Sequence, residues 1–133
     1  MKDIVIDGSN ALLGRLASYA SKQALNGKSI IIVNCNKIVI SGNPQATIGI
    51  YKNKRQRGGA SLKGPFFPRH AERIVKRTIR GMLPYKQERG LAALKRIRCY
   101  NEIPGIYNEL PKIKAGKEKH TKVITLKEVA GEL

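Results

Sequence analysis

The hydrophobic pattern of the first 33 residues alternates between strand-like and helical spacing. Ile4–Ile6 is a short apolar run, and Ser29–Val33 is a second one, rich in β-branched residues. Runs that are apolar on both faces are typical of parallel strands covered on both sides. Apolar residues between the runs recur at helical spacing, and Gly27 is suited to end that helix. The shared helix face consists of Leu13, Leu16, Ala17, Ala20 and Ala24. A strand, a helix and a second strand in this order predict a βαβ unit and therefore an α/β fold.

The pattern continues with short elements up to residue 101. A third strand is expected at 37–40, and Asn43-Pro44 has the residues of a helix cap followed by a first helical turn. Glycines and prolines predict a loop over 58–70. The remaining predictions are a helix at 71–83, ended by Gly81 and Pro84, a helix at 87–97 with Leu91, Leu94 and Ile97 inward, and a strand at 98–101.

The helix predicted at 71–83 is amphipathic in a particular way. Its apolar positions follow the i, i+3, i+4 rule of one buried face, and its cations obey the same period on the opposite face. The apolar set is Ala71, Ile74, Val75, Ile79, Met82 and Leu83, and the cationic set is Arg73, Lys76, Arg77 and Arg80. A solvated surface is the simpler interpretation of such cations, but four on one stripe without an interleaved carboxylate favour phosphate binding.

The C-terminal part of the chain has a different sequence pattern, with a polar and basic stretch before a short predicted helix. Residues 106–122 are expected to form an extended basic segment, because 111–122 are polar and basic without a period. Thr125 and Glu128 fit a capping box, so a C-terminal helix is predicted over 126–132. With 133 residues, the chain is expected to form a single domain over 1–133.

The charge of the chain points to a polyanionic partner. Lysine and arginine number 26 against nine acidic residues, which gives a net charge of +17. Between Lys52 and Arg98, fifteen cations face only Glu72 and Glu88. Such crowding destabilises a compact chain by self-repulsion, and phosphates of a nucleic acid would neutralise it.

Other partners and compartments are disfavoured. No apolar run approaches the roughly 20 residues needed to cross a bilayer, and no secretory signal is recognisable, so a cytoplasmic protein is expected. The basic helix lacks the Trp or Phe that anchors surface helices to membranes. Cys35 and Cys99 belong to no CxxC motif and are expected to be free thiols.

Candidate catalytic and metal motifs are incomplete. Gly8 and Gly14 flank a strand–helix junction, but five residues separate them and Arg15-Leu16 replaces the Lys-Ser/Thr pair of a phosphate loop. Arg15 could clamp a phosphate at a helix N-terminus or could be a plain surface arginine. Asp7 has no recognisable carboxylate or histidine partner, which favours a turn role. His70 and His120 lack metal-ligand spacing.

Two roles are possible for the adjacent aromatic residues in the predicted basic loop. Phe66 and Phe67 could stack on unpaired bases or could anchor the loop to the domain, and the flanking prolines favour the anchor. His70, next to Arg69, is expected to touch phosphate or base. An enzyme on a doubly wound sheet, nucleotide-dependent or RNA-modifying, remains the alternative function, although no phosphate loop or carboxylate pair supports it.

Several blocks of the sequence resemble a known family. Leu13–Ser18, Val33-Asn34, Ile40–Gly42 and especially Ile79–Pro84, with Lys86 and Arg89-Gly90, are similar to the large-subunit ribosomal protein L13 family. The resemblance covers about residues 4–104. The loop at 64–69 resembles the archaeal and eukaryotic branch, whereas His70 and Ala71 depart from it, where that branch tends to carry a further arginine or proline.

The resemblance implies a three-layer α/β/α domain with a four-stranded, mainly parallel sheet. It also implies a non-enzymatic constituent of the cytoplasmic ribosome that binds large-subunit rRNA, meets neighbouring ribosomal proteins and supports subunit assembly. No cofactor, metal, membrane or small-molecule substrate is expected. Together with the charge pattern, it assigns rRNA binding to Arg15, Lys52, Lys54, Arg55, Arg57, Lys63, Arg69, His70, Arg73, Lys76, Arg77, Arg80, Lys86, Arg89 and Arg96.

Overall fold

The fold is taken from a computed structural model, which describes residues 3–55, 70–105, 113–114 and 123–132. Helices and strands alternate along most of this range. In chain order the elements are β1 (Asp3–Asp7), α1 (Leu13–Leu25), β2 (Ser29–Val33), a 3₁₀ turn (Cys35–Lys37), β3 (Val39–Ser41), α2 (Pro44–Arg55), α3 (Ala71–Gly81), α4 (Glu88–Lys95), β4 (Ile97–Cys99), β5 (Ile113–Lys114), β6 (Val123–Thr125) and α5 (Leu126–Glu132).

Three parallel strands form the main sheet in the order β4–β2–β1. Asp3 pairs with Ser29 at the start of β1 and β2, and Ile30 of β2 pairs with Ile97 of β4. The two-residue β5 pairs in parallel with β1, whereas β3 and β6 form a separate antiparallel pair. The predicted α/β class with a mainly parallel sheet is therefore confirmed.

The two faces of the sheet bury different side chains because successive strand residues point to opposite sides. Ile6, Ile30 and Ile32 belong to a large apolar cluster to which α1, α3, α4 and α5 contribute buried side chains. Val5, Ile31 and Val33 form a smaller cluster on the other face, with Tyr100 and Ile103 packed against it. In the described ranges, the helices thus contribute to one main core.

Local capping residues mark two helix starts and one helix end. Asn43 Oδ1 accepts the N–H of Gln45 at 2.9 Å, so α2 starts at the predicted proline. Thr125 Oγ1 accepts the N–H of Glu128 at 3.3 Å, which caps α5 over the predicted 126–132. Gly27, with φ +92°, follows α1 in the left-handed conformation that glycine tolerates.

Three predicted details were wrong. The strand expected at 37–40 is preceded by the 3₁₀ turn, so β3 covers Val39–Ser41. The strand expected at 98–101 is β4, which begins and ends earlier, at Ile97–Cys99. Leu91 and Met82, expected to face inward, are 45% and 44% exposed, because α3 ends at Gly81 and α4 turns Gly90 and Ala93 toward the core instead.

The extended basic segment expected at 106–122 lies mostly outside the described residues. Its described portion, Ile113–Lys114, is strand β5. Within the described ranges, no helix combines the length and the apolar character needed to cross a membrane.

Candidate nucleic-acid interface

Helix α3 carries the basic stripe because its apolar residues occupy the opposite face. Ala71, Ile74, Val75 and Ile79 are buried at the spacing of a single helix side. Glu72 in the first turn and Arg80 in the last turn suit the helix dipole. Burial of one face therefore fixes the direction in which the cations of the other face point.

The four cations of the stripe share one shallow cavity. Arg73, Lys76, Arg77 and Arg80 line a space of about 240 Å³ together with Leu94 of α4. Arg73 is exposed, and the other three are half-buried. The aliphatic stems of long cationic side chains pack on apolar surface while their charged ends reach solvent, so the cavity presents several positive charges over a small apolar floor.

Arg80 is held in place by an aromatic ring. Its guanidinium lies over the ring of Tyr85, 4.9 Å from the centroid, within the range of a cation–π contact. In the described part of the chain, the buried Nε atom of Arg80 has no hydrogen-bond partner. The sequence interpretation missed Tyr85, although a tyrosine directly after Pro84 at the end of a basic helix was the available signal.

A tight corner connects α3 to α4. The N–H of Leu83 donates to Arg80 O at 3.1 Å, and the N–H of Gln87 donates to Pro84 O at 3.0 Å. Gly90 of α4 packs directly on the backbone of Pro84, where a Cβ atom would overlap it. Gly81, by contrast, has open space around its Cα. The glycine that permits close packing within the protein is thus Gly90, whereas Gly81 borders open space.

Four other predicted cations lie outside this stripe. Lys86 and Arg89 are exposed on the corner and on α4, and Lys52 is exposed near the end of α2. Arg15 is exposed in the first turn of α1 and lines a second cavity of about 360 Å³ with Tyr51 and Thr78. Burial raises the pKa of Tyr51, so its phenol stays protonated at neutral pH. Arg15 therefore borders α2 and α3 rather than a phosphate loop.

The other residues predicted to bind rRNA lie away from the stripe on α3 or outside the described residues. Arg96 donates from its guanidinium to Ala24 O at 2.9 Å and so caps the last turn of α1. His70 is exposed and immediately precedes α3. Lys54 and Arg55 belong to α2, but their side chains lie outside the described set. The remaining predicted residues outside the described ranges are Arg57, Lys63 and Arg69, together with Phe66, Phe67 and His120.

Asp7 and Gly8, at the junction between β1 and α1, stabilise the turn and its packing. Asp7 Oδ1 accepts the N–H of Ser9 and the side-chain amide of Asn34, both at 3.0 Å, as a turn role requires. The residue before α1 is Leu12, which has no side-chain cap. Gly8 packs closely against Ile38 and Val33 O.

The two cysteines are free thiols in contact with each other. Cys35 is buried and Cys99 half-buried. A hydrogen bond with Cys99 and burial raise the pKa of the Cys35 thiol far above its ordinary value. Among the described residues, no group of three or more His, Cys, Asp or Glu side chains could hold a metal ion.

Comparison with known proteins shows the family of this chain. The family model for Ribosomal protein L13 matches residues 1–105. A Large ribosomal subunit protein uL13 from Archaeoglobus fulgidus is 50% identical over 75% of this chain, and one from Methanosarcina barkeri is 50% identical over 75%. The matches span 64% and 71% of those relatives, respectively. The protein of the same name from Methanocaldococcus jannaschii is 42% identical over 97% of this chain and 96% of its own length. The chain therefore belongs to the ribosomal protein L13 family.

Proposed function

We propose that this protein is a structural constituent of the large ribosomal subunit and that it binds folded rRNA through a basic surface centred on α3. The observation that supports this proposal most directly is the cavity that Arg73, Lys76, Arg77 and Arg80 line together. Membership of the L13 family, whose relatives are named for the large ribosomal subunit, supports a structural role in the cytoplasmic ribosome rather than an enzymatic one.

Recognition would depend on RNA shape. Side chains cannot read bases in the deep, narrow major groove of A-form RNA, whereas cations on a rigid helix can match the spacing of phosphates. Ile74 and Ile79 lock α3 onto the sheet, and the corner at Pro84 fixes the direction of α4. We propose that Arg15, Lys52, Lys86 and Arg89 extend the positive surface and that the cations of residues 58–69, a stretch predicted from the sequence to be a loop, add to it. We also propose that the complete domain is a three-layer α/β/α body with a four-stranded sheet.

Neighbouring ribosomal proteins are further proposed partners. The exposed apolar side chains around the α3–α4 corner, Met82, Tyr85 and Leu91, would remain accessible beside the phosphate-binding stripe. The same rigid platform would support assembly by holding RNA segments in their folded arrangement.

Binding of purified protein to large-subunit rRNA tests the proposal. R73Q/K76Q/R77Q removes three stripe charges, and K22Q/K28Q/K95Q removes three charges from exposed lysines near the opposite end of the strands. We expect the stripe variant to lose most of its affinity and its RNA footprint, with an unchanged circular dichroism spectrum, and the control to retain both. Equal losses in the two variants would argue against a specific interface.

A further inference from the structure

A third cavity lies at the carboxyl ends of strands β2 and β4. Its volume is about 460 Å³, within the usual size of a small-molecule site. Ligands of open α/β sheets bind outside the carboxyl ends of the strands. None of the residues assigned to rRNA binding above lines this cavity, so its chemistry is not explained by the basic stripe.

Three hydrogen-bonded segments form the walls. Asn36 and Lys37 belong to the 3₁₀ turn, Asn101–Ile103 follow β4, and Lys127 lies in α5. The N–H of Asn36 donates to Asn101 O at 3.5 Å, and the N–H of Leu126 donates to Ile38 O at 2.8 Å. Because the segments are tied to one another through backbone bonds, the cavity exists before any ligand enters.

The lining side chains match the parts of a ribonucleotide. The amide of Asn36 and the side-chain NH₂ group of Asn101 can pair with a base edge, and Ile103 offers an apolar surface for a base face. The Glu102 carboxylate can accept a hydrogen bond that the 2′-hydroxyl of a ribose donates, as a carboxylate does in dinucleotide sites. Lys37 and Lys127, which are both exposed, supply cations for a phosphate.

The cavity adjoins the basic helix. Asn101 Oδ1 accepts the N–H of Glu72, in the first turn of α3, at 3.0 Å. We propose that this cavity holds one unpaired ribonucleotide of the RNA chain that lies along α3. The proposal rests on the rRNA binding proposed above and adds a base-binding site to a surface that otherwise contacts phosphates.

Chemical footprinting of large-subunit rRNA with the full chain tests it. K37E/K127E reverses both cavity lysines, and K22E/K28E makes the same charge change on exposed lysines away from the cavity. We expect one short RNA site to lose protection only in K37E/K127E, while the other protections persist. The Kd of K37E/K127E should exceed that of K22E/K28E, because reversing two cations that face a phosphate weakens binding at that site.

The outcomes separate this inference from the proposed function. If the wild-type chain shows no salt-sensitive rRNA binding, the proposed function fails. If binding persists and K37E/K127E gives the footprint of K22E/K28E, the cavity proposal alone is overturned. Titration with 5′-AMP and 5′-dAMP identifies the source of the ligand. Weak millimolar binding that prefers the ribose and is lost in Glu102→Ala supports the RNA source, whereas micromolar saturation by free AMP with an unchanged footprint overturns it.

Discussion

Replacement of Gly90 by alanine is expected to disrupt the corner that joins the basic helix to α4. A Cβ atom at this position would overlap the carbonyl carbon and oxygen of Pro84 and would lie 2.9 Å from Tyr85 N. All three atoms belong to the backbone, so no side-chain rotation can relieve the overlap. The helices or the turn between them would have to move.

The magnitude follows from two opposing effects. Glycine to alanine within a helix normally stabilises by roughly 0.5–1 kcal/mol, whereas forcing an extra carbon into a packed site costs typically about 1–3 kcal/mol. Gly90 is buried and in a helix, so the second effect should dominate. Gly81→Ala is the matched control, because Gly81 lies at the end of α3 with open space around it.

Urea unfolding followed by circular dichroism measures both variants. We expect Gly90→Ala to lower the free energy of unfolding by about 1–3 kcal/mol and Gly81→Ala to change it by less than about 1 kcal/mol, in the stabilising direction. If Gly90→Ala proved as stable as Gly81→Ala, the backbone of Pro84 could not be packed against α4 as the structure shows.

Three further outcomes follow from particular contacts. Asn43→Ala removes the acceptor for the Gln45 N–H and should reduce unfolding free energy by about 0.5–2 kcal/mol in the same assay; an unchanged value would refute the cap. In the folded state the pKa of the Cys35 thiol is raised above its ordinary value of 9.0, which the unfolded chain keeps. Above pH 9.0 the unfolded chain therefore loses this proton while the folded chain retains it. The free energy of unfolding should be unaffected by this group below pH 9.0 and should fall by about 1.4 kcal/mol per pH unit above it. Cys35→Ala should flatten that slope, and an equal slope would contradict the assignment. Iodoacetamide should modify half-buried Cys99 in the native protein but Cys35 only after denaturation, as mapped by peptide mass; equal native rates would contradict the burial.

Elements with local signals were predictable from the sequence. The period of Ala71, Ile74, Val75 and Ile79 identified α3 and its cationic face, because burial of one helix side requires that spacing. Caps that act within three residues, such as Thr125 on Glu128, gave correct ends for the same reason.

Features that depend on distant partners were not predictable. Leu91 has the spacing of an inward residue, yet the corner at Pro84 rotates α4 so that Gly90 and Ala93 face the core. Arg96 looked like a phosphate ligand, but α1 brings the carbonyl of Ala24 within its reach. No local pattern in the sequence encodes the approach of elements that lie far apart along the chain.

The candidate interface also contains some features that the sequence predicts and others that only the fold reveals. The stripe on α3 could be found from periodicity and charge alone, since both are properties of one helix. The contact of Arg80 with Tyr85 and the cavity beneath Lys37 and Lys127 depend on the packing of separate segments. They became visible only in the folded chain.

The salt dependence of rRNA binding tests the central claim most directly. If the four stripe cations each neutralise one phosphate, they contribute about 2.8–3.6 to the slope of log affinity against log salt, which is roughly a 50–150-fold loss between 50 and 200 mM. We predict that R73Q/K76Q/R77Q/R80Q loses this part of the slope while it retains its helical circular dichroism signal. An unchanged slope in the folded quadruple variant would contradict the account.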